Sequence, residues 1–124
     1  MRALIVDDSK AMRTILRKIV VECGFEDVIE AENGVQALVQ LRKSGPPDLV
    51  LVDWNMPEMT GIEFVTRVRK DDTFDASMLM MVTTETEAAR ITEALVAGAD
   101  EYVMKPFTSD ALREKIDLMR ASRQ

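Results

Sequence analysis

Along the chain, short unbroken apolar runs alternate with stretches in which apolar residues recur every third or fourth position. Unbroken runs suit strands buried on both faces, and the longer period suits helices with one buried side, so the pattern predicts a repeating β-α unit. The first strand covers Ala3 to Val6, and Met12, Ile15, Leu16, Ile19 and Val20 mark the buried face of the helix after it. Ser9 is placed to cap that helix and Gly24 to end it. A second strand spans Val28 to Ala31, Asn33-Gly34 turns into a helix carrying Val35, Leu38 and Leu41, and Gly45-Pro46-Pro47 stops it.

The third strand is Leu49 to Val52, and the loop from Asp53 to Gly61 leads into a helix burying Phe64, Val65 and Val68. The fourth strand is Met78 to Val82, followed by a helix from about Glu87 to Ala97 with Ile91 and Leu95 inward and Gly98 as its stop. The fifth strand, Tyr102 to Met104, enters Lys105-Pro106, and Thr108 or Ser109 caps a last helix burying Leu112, Ile116 and Met119. Five β-α units with no repeat, linker or low-complexity tract make a doubly wound α/β domain: a five-stranded parallel sheet covered by five helices. Right-handed crossovers bring every strand's carboxyl end to one edge, and ligands of such sheets bind beyond that edge.

With 124 residues the chain is one ordinary domain, expected to span 1–124 and to fold without disulfide or structural metal. The single cysteine, Cys23, excludes an intrachain disulfide and, with no leader-like segment, points to the cytoplasm. Cys23 is expected to be a small packed residue and the nine methionines core filling. No apolar run approaches the ~20 residues that span a bilayer. A net charge of -6 argues against duplex nucleic acid, which binds through lysine and arginine. The absence of histidine removes serine-histidine and cysteine-histidine catalysis and histidine-ligated zinc. Any chemistry must use carboxylates, hydroxyls, lysine or a hard metal held by oxygen. Arg67, Arg69 and Lys70, balanced by Asp71 and Asp72, suggest a solvated helix end.

Four of the five strands exit into polar residues: Asp7-Asp8, Asp53, Thr83 and Lys105. Taken singly, Asp7 and Asp8 also suit helix capping, Asp53 a turn and Thr83 a commonplace strand end. Together, three carboxylates would repel by roughly 3 kcal/mol per pair at ~5 Å and an effective dielectric near ~20. Lys105 offsets part of this, and a magnesium ion would offset more. Carboxylate, hydroxyl, lysine and magnesium are the parts of a phosphoryl-transfer site.

The segments LIVDDSKAMR, LVDWNMPEMTGIEF, MVTTETE and GADEYVMKPFT, in that order along the whole chain, resemble the receiver domains of bacterial response regulators, most of all the stand-alone chemotaxis regulators. The resemblance implies a flavodoxin-like sheet of order 2-1-3-4-5. It implies that Asp53 is the phosphoacceptor, attacking the phosphorus of a kinase phosphohistidine or small phosphodonor. Asp8 and Asp53 are then direct Mg2+ ligands, with Asp7 beside the ion or holding a metal-bound water, and the Asn55 backbone carbonyl completes the protein ligands. Lys105 neutralises the phosphoryl oxygens, and Pro106 follows a cis bond. Thr83 is the switch hydroxyl and Tyr102 the aromatic that rotates inward with it. Asn55 and Glu85 tune access of the hydrolytic water, and this pair implies a phosphoaspartate lasting seconds to a few minutes. Thr84 departs from the pattern, standing where the chemotaxis members carry a smaller alanine.

The chain runs to Gln124 straight after the fifth helix, so output is expected by binding another protein. The resemblance places that binding on the face of helix four, strand five and helix five, with a flagellar motor switch protein as favoured target. It also implies a histidine kinase upstream, a phosphatase downstream, and a monomer that is no enzyme beyond catalysing its own phosphorylation and dephosphorylation. A phosphate sink or relay intermediate would use the same site without an output partner. A magnesium-dependent phosphatase working through an aspartyl phosphate is the alternative of a different class. Such enzymes would carry a second acid two residues beyond the nucleophile, where this chain has Asn55.

Overall fold

The computed structural model describes residues 1–84 and 90–122. In chain order the elements are β1 (Arg2–Val6), α1 (Lys10–Glu22), β2 (Asp27–Ala31), α2 (Gly34–Ser44), β3 (Leu49–Asp53) and α3 (Gly61–Arg69). After a 3-10 turn at Asp72–Phe74 come β4 (Met78–Thr84), α4 (Ile91–Ala97), β5 (Glu101–Lys105) and α5 (Ser109–Ser122). All strand pairs are parallel and the sheet order is β2-β1-β3-β4-β5, as the resemblance implied.

The unbroken apolar runs follow from a sheet covered on both sides. Alternate residues of one strand feed two separate cores: Leu4, Val6, Val50 and Val52 join residues of α2, α3 and α4. Ala3, Ile5, Leu49 and Leu51 join residues of α1 and α5 on the opposite face. Met78, Met80 and Met81 are core residues on β4, as expected, but Met1 and Met104 stay 43% and 37% exposed.

Side-chain caps set the helix starts. The oxygens of Ser9, Asn33, Thr60 and Thr108 accept from the amides of Met12, Gln36, Glu63 and Ala111 at 3.2, 2.8, 3.2 and 3.0 Å. Thr108, not Ser109, therefore caps α5. Gly24 adopts a positive φ of 101° just beyond α1, the conformation glycine reaches without a Cβ penalty. Cys23 is half-buried at the C-cap of α1, and burial pushes its thiol pKa up.

Some expectations need correction. Ile15, Val35 and Leu95 stay 49%, 46% and 44% exposed. They flank the apolar stripes of their helices, while the small residues Ala37 and Ala94 take the close contact with the sheet. Ile91 is only half-buried. Glu85 and the expected start of the fourth helix at Glu87 lie outside the described residues. Strands three, four and five each run further than expected, so Asp53, Thr83 and Lys105 are strand residues rather than loop residues.

The basic stretch at the end of α3 is not simply a solvated helix end. Arg69 is 16% exposed, and its guanidinium donates to the carbonyls of Gly98, Phe74 and Ser77 at 2.9, 2.8 and 2.9 Å and to Asp100 Oδ2 at 3.0 Å. Asp100 Oδ2 also accepts from the Leu79 amide at 2.8 Å. One side chain thus joins the end of α3, the 3-10 turn, the start of β4 and the turn between α4 and β5. Asp71 caps the 3-10 turn, its Oδ1 accepting from the Thr73 amide at 3.0 Å.

Candidate functional site

The sheet register brings the polar exits together. Val6 pairs with Val52, which puts Asp7 one residue past the end of β1 beside Asp53 at the end of β3. Asp53 pairs with Val82 and Lys105 with Thr84, so Thr83 lies on the strand between phosphoacceptor candidate and lysine. One oxygen from each of Asp7, Asp8 and Asp53 lies within 4.8 Å of the others. Asp7 and Asp53 are buried and Asp8 is exposed, so the cluster opens to solvent on one side.

Charge within it is unevenly offset. Lys105 Nζ lies 3.3 Å from Asp53 Oδ1 and 3.6 Å from Asp7 Oδ2. Asp7 Oδ1 accepts from the Ser9 amide at 2.8 Å, but the buried Asp7 Oδ2 has no hydrogen-bond partner. Burial, joined by the Asp7 charge and opposed by Lys105, pushes the Asp53 pKa up to about 6, with Asp8 adding to the rise. Three oxygen donors, one ammonium and an unsatisfied buried carboxylate oxygen fit a hard divalent cation. These residues could hold such an ion.

Further residues fix the geometry. The Lys105-Pro106 bond is cis. Arg13 is buried beneath Asp7, donating from Nη1 to the Asp7 carbonyl at 2.7 Å and from Nε to Glu30 at 3.0 Å. Thr83 is fully buried, and its hydroxyl donates to the Thr84 carbonyl at 3.3 Å. Asn55 is exposed in the loop after Asp53. Tyr102 is half-buried against the α2-α3-α4 core, with Lys115 Nζ 4.5 Å from its ring centroid. Trp54 is buried beside Asp53, and the Arg90 guanidinium lies 5.2 Å over its ring.

Arg13 and Gly61 are the supports that the sequence reading missed. The Gly61 amide donates to the Trp54 carbonyl at 2.9 Å, and a Cβ on Gly61 would sit 2.7 Å from the Asp53 carbonyl oxygen and 2.6 Å from Met81 Cε. The start of α3 is therefore pressed against the backbone of Asp53. Gly61→Ala is expected to cost about 1–3 kcal/mol, because the contact is with backbone that must shift. Urea unfolding checks the cost, and phosphoryl uptake slower than wild type in the still-folded variant checks that the shift reaches Asp53.

A family profile for the response regulator receiver domain matches residues 3–117. The chain is 42% identical over 119 residues to the chemotaxis protein CheY1 of Helicobacter pylori, covering 96% of each chain. It is 44% identical over 117 residues to the chemotaxis protein CheY of Pseudomonas aeruginosa, covering 94% of each. Among solved structures, the chemotaxis response regulator CheY4 of Vibrio cholerae superposes with a TM-score of 0.85 at 32% identity, covering 94% of this chain and 96% of that one.

Proposed function

This chain belongs to the response regulator receiver domain family, and from that membership we propose that it is a stand-alone phosphorylation switch of a two-component chemotaxis pathway. The observation that carries the reading is the meeting of Lys105 Nζ with Asp53 and Asp7, 3.3 and 3.6 Å away, in a pocket where one carboxylate oxygen is buried without a hydrogen bond. Asp7, Asp8, Asp53 and the Asn55 carbonyl are the groups that would hold Mg2+. When bound, the ion offsets carboxylate charge and draws density from the phosphoryl oxygens.

A carboxylate oxygen of Asp53 attacks the phosphorus of a kinase phosphohistidine or acyl phosphate. The new phosphorus-oxygen bond forms as the bond to the leaving nitrogen or oxygen breaks, and the leaving group keeps that electron pair. The Lys105 ammonium moves from pairing carboxylates to pairing the phosphoryl oxygens. The Thr83 hydroxyl exchanges the Thr84 carbonyl for a phosphoryl oxygen, and Tyr102 turns further into the space that this vacates. Both conformers preexist, and the phosphoryl group shifts their populations through contacts that only one can make. Pro106 follows the lysine, and Asn55 and Glu85 govern the entry of the hydrolytic water. A histidine kinase supplies the phosphoryl group. A flagellar motor switch protein binds the α4-β5-α5 face, which the chemotaxis relatives support.

Trp54, next to Asp53, reports on the site. Adding Mg2+ is expected to change its fluorescence, and acetyl phosphate is expected to deepen that change, which then decays within minutes of donor removal. Thr83→Ala is expected to keep the Mg2+ response and the phosphoryl group but to lose most of the phosphorylation-induced gain in target binding. Equal target binding by phosphorylated wild type and Thr83→Ala would remove Thr83 from the switch.

A further inference from the structure

Away from the acidic pocket, the described residues leave a cavity of about 500 Å³ between α2 and α3. Its apolar floor is Leu38, Leu41, Val68 and Phe74, and Arg42 and Arg67 stand at its rim in the last turns of the two helices. The other seven described arginines each hold a carboxylate or carbonyl oxygen. Arg42 and Arg67 hold none among the described residues, and both line this one cavity. Asp71 also lines it, but one of its oxygens is committed to the Thr73 amide.

Helix dipoles account for the sign of charge at these two helix ends. They do not account for an open, apolar-floored space between two unpaired guanidinium groups on a protein of net charge -6. Val35 and Val39, one helical turn apart on α2, are 46% and 43% exposed. Exposed apolar residues on the helix that supplies Leu38 and Leu41 widen the apolar surface open to a ligand. That surface matches an extended or helical segment that sets an apolar side chain into the cavity and carboxylates against the two arginines.

We propose that the α2-α3 groove is a docking site for an acidic segment of a partner protein carrying an apolar anchor residue. None of Asp7, Asp8, Asp53, Thr83 or Lys105 lines the groove. Docking there is therefore independent of phosphorylation, and it leaves both the acidic pocket and the α4-β5-α5 face free. The groove would hold the switch near its partner in either state.

The probe is a fluorescein-labelled peptide of glutamates flanking a central Phe-Leu pair, titrated by anisotropy and mapped by amide shifts in a proton-nitrogen correlation spectrum. The expected result is binding that weakens with salt, moves the amides of Leu41, Arg42, Val68 and Phe74, and is equal for wild type and Asp53→Asn. Arg42→Glu/Arg67→Glu is expected to weaken it by about tenfold or more. Both side chains are exposed and hold no partner among the described residues, so the double variant is expected to stay folded, its unfolding temperature lowered only by the few degrees that two reversed charges at helix C-termini cost. It is also expected to gain binding to the same peptide with lysines in place of the glutamates. Several results would overturn the proposal. They are absence of binding at millimolar peptide, shifts confined to other faces, indifference to the charge reversal, or full displacement by 2-naphthoate at equal affinity, which would mark a small-anion site.

Discussion

Asp53→Asn is expected to stabilise the metal-free fold at pH 7 by about 2 kcal/mol while abolishing phosphoryl uptake. The Asp53 carboxyl sits at about 6 against an ordinary 3.8, so the folded chain holds that proton more tightly than the unfolded chain does. Ionising Asp53 therefore costs stability, and the wild type loses ground to the variant as pH rises from about 4 to about 6. The gap is flat above that window and closes below it, where the carboxyl is protonated in both states. A shift of about two units corresponds to roughly 3 kcal/mol, which solvent at the pocket mouth reduces to about 2. Saturating Mg2+ is expected to narrow the gap, since it binds the folded wild type more tightly than the variant. Urea unfolding of both proteins from pH 4 to 8, with EDTA and with Mg2+, checks the sign, the window and the linkage. A variant less stable than wild type at pH 7 in EDTA would mean that the carboxylates are not in conflict.

The largest purely structural effect is expected at Arg69. Arg69→Met keeps most of the apolar stem but removes donors to four carbonyls, those of Gly98, Phe74, Asp75 and Ser77, and to Asp100. Partly buried acceptors left without a charged donor cost on the order of 1 kcal/mol each, so a loss of about 3 kcal/mol is expected. For a domain of this size that lowers the thermal midpoint by roughly 10 °C. Phosphoryl uptake in the folded variant is expected to match wild type, because the Arg69 bonds lie at the far ends of β4 and α4 from Asp53. Calorimetry and uptake measured on the same preparation separate the two effects. A midpoint within a degree or two of wild type would show that the helix end is solvated after all.

Physical reasons explain which parts of this account could be read from the sequence. Leu4-Ile5-Val6 and Leu49-Val50-Leu51-Val52 announce doubly covered strands, because a residue on either face of a covered sheet must be apolar. Once the strands are parallel, their order of residues brings Asp7, Asp8, Asp53, Thr83 and Lys105 to one edge whatever their separation in the chain. Strand order rested on family resemblance, since no local pattern encodes it.

Arg69 reads as solvated in the sequence because side-chain bonds to carbonyls leave no periodic trace. Its position four residues after Val65, on the same buried stripe of α3, was the available signal. Gly61 stands directly after the capping Thr60, where a residue of poor helix propensity asks for a packing reason. Leu95 reads as inward because hydrophobicity marks the stripe, while the distance to the sheet is set by the small Ala94. Arg42 and Arg67 look like ordinary helix-end residues in one dimension. Only the fold puts them on opposite rims of one cavity.

Asp53 is expected to take up a phosphoryl group with the help of Mg2+. Intact-protein mass spectrometry after incubation with acetyl phosphate, with and without Mg2+, tests it most directly. The expected result is one added phosphoryl group per chain, found only with Mg2+, mapped by borohydride reduction to Asp53 and absent from Asp53→Asn. Unmodified wild-type protein under conditions that load another receiver domain, or a phosphoryl group that persists in Asp53→Asn, would contradict it.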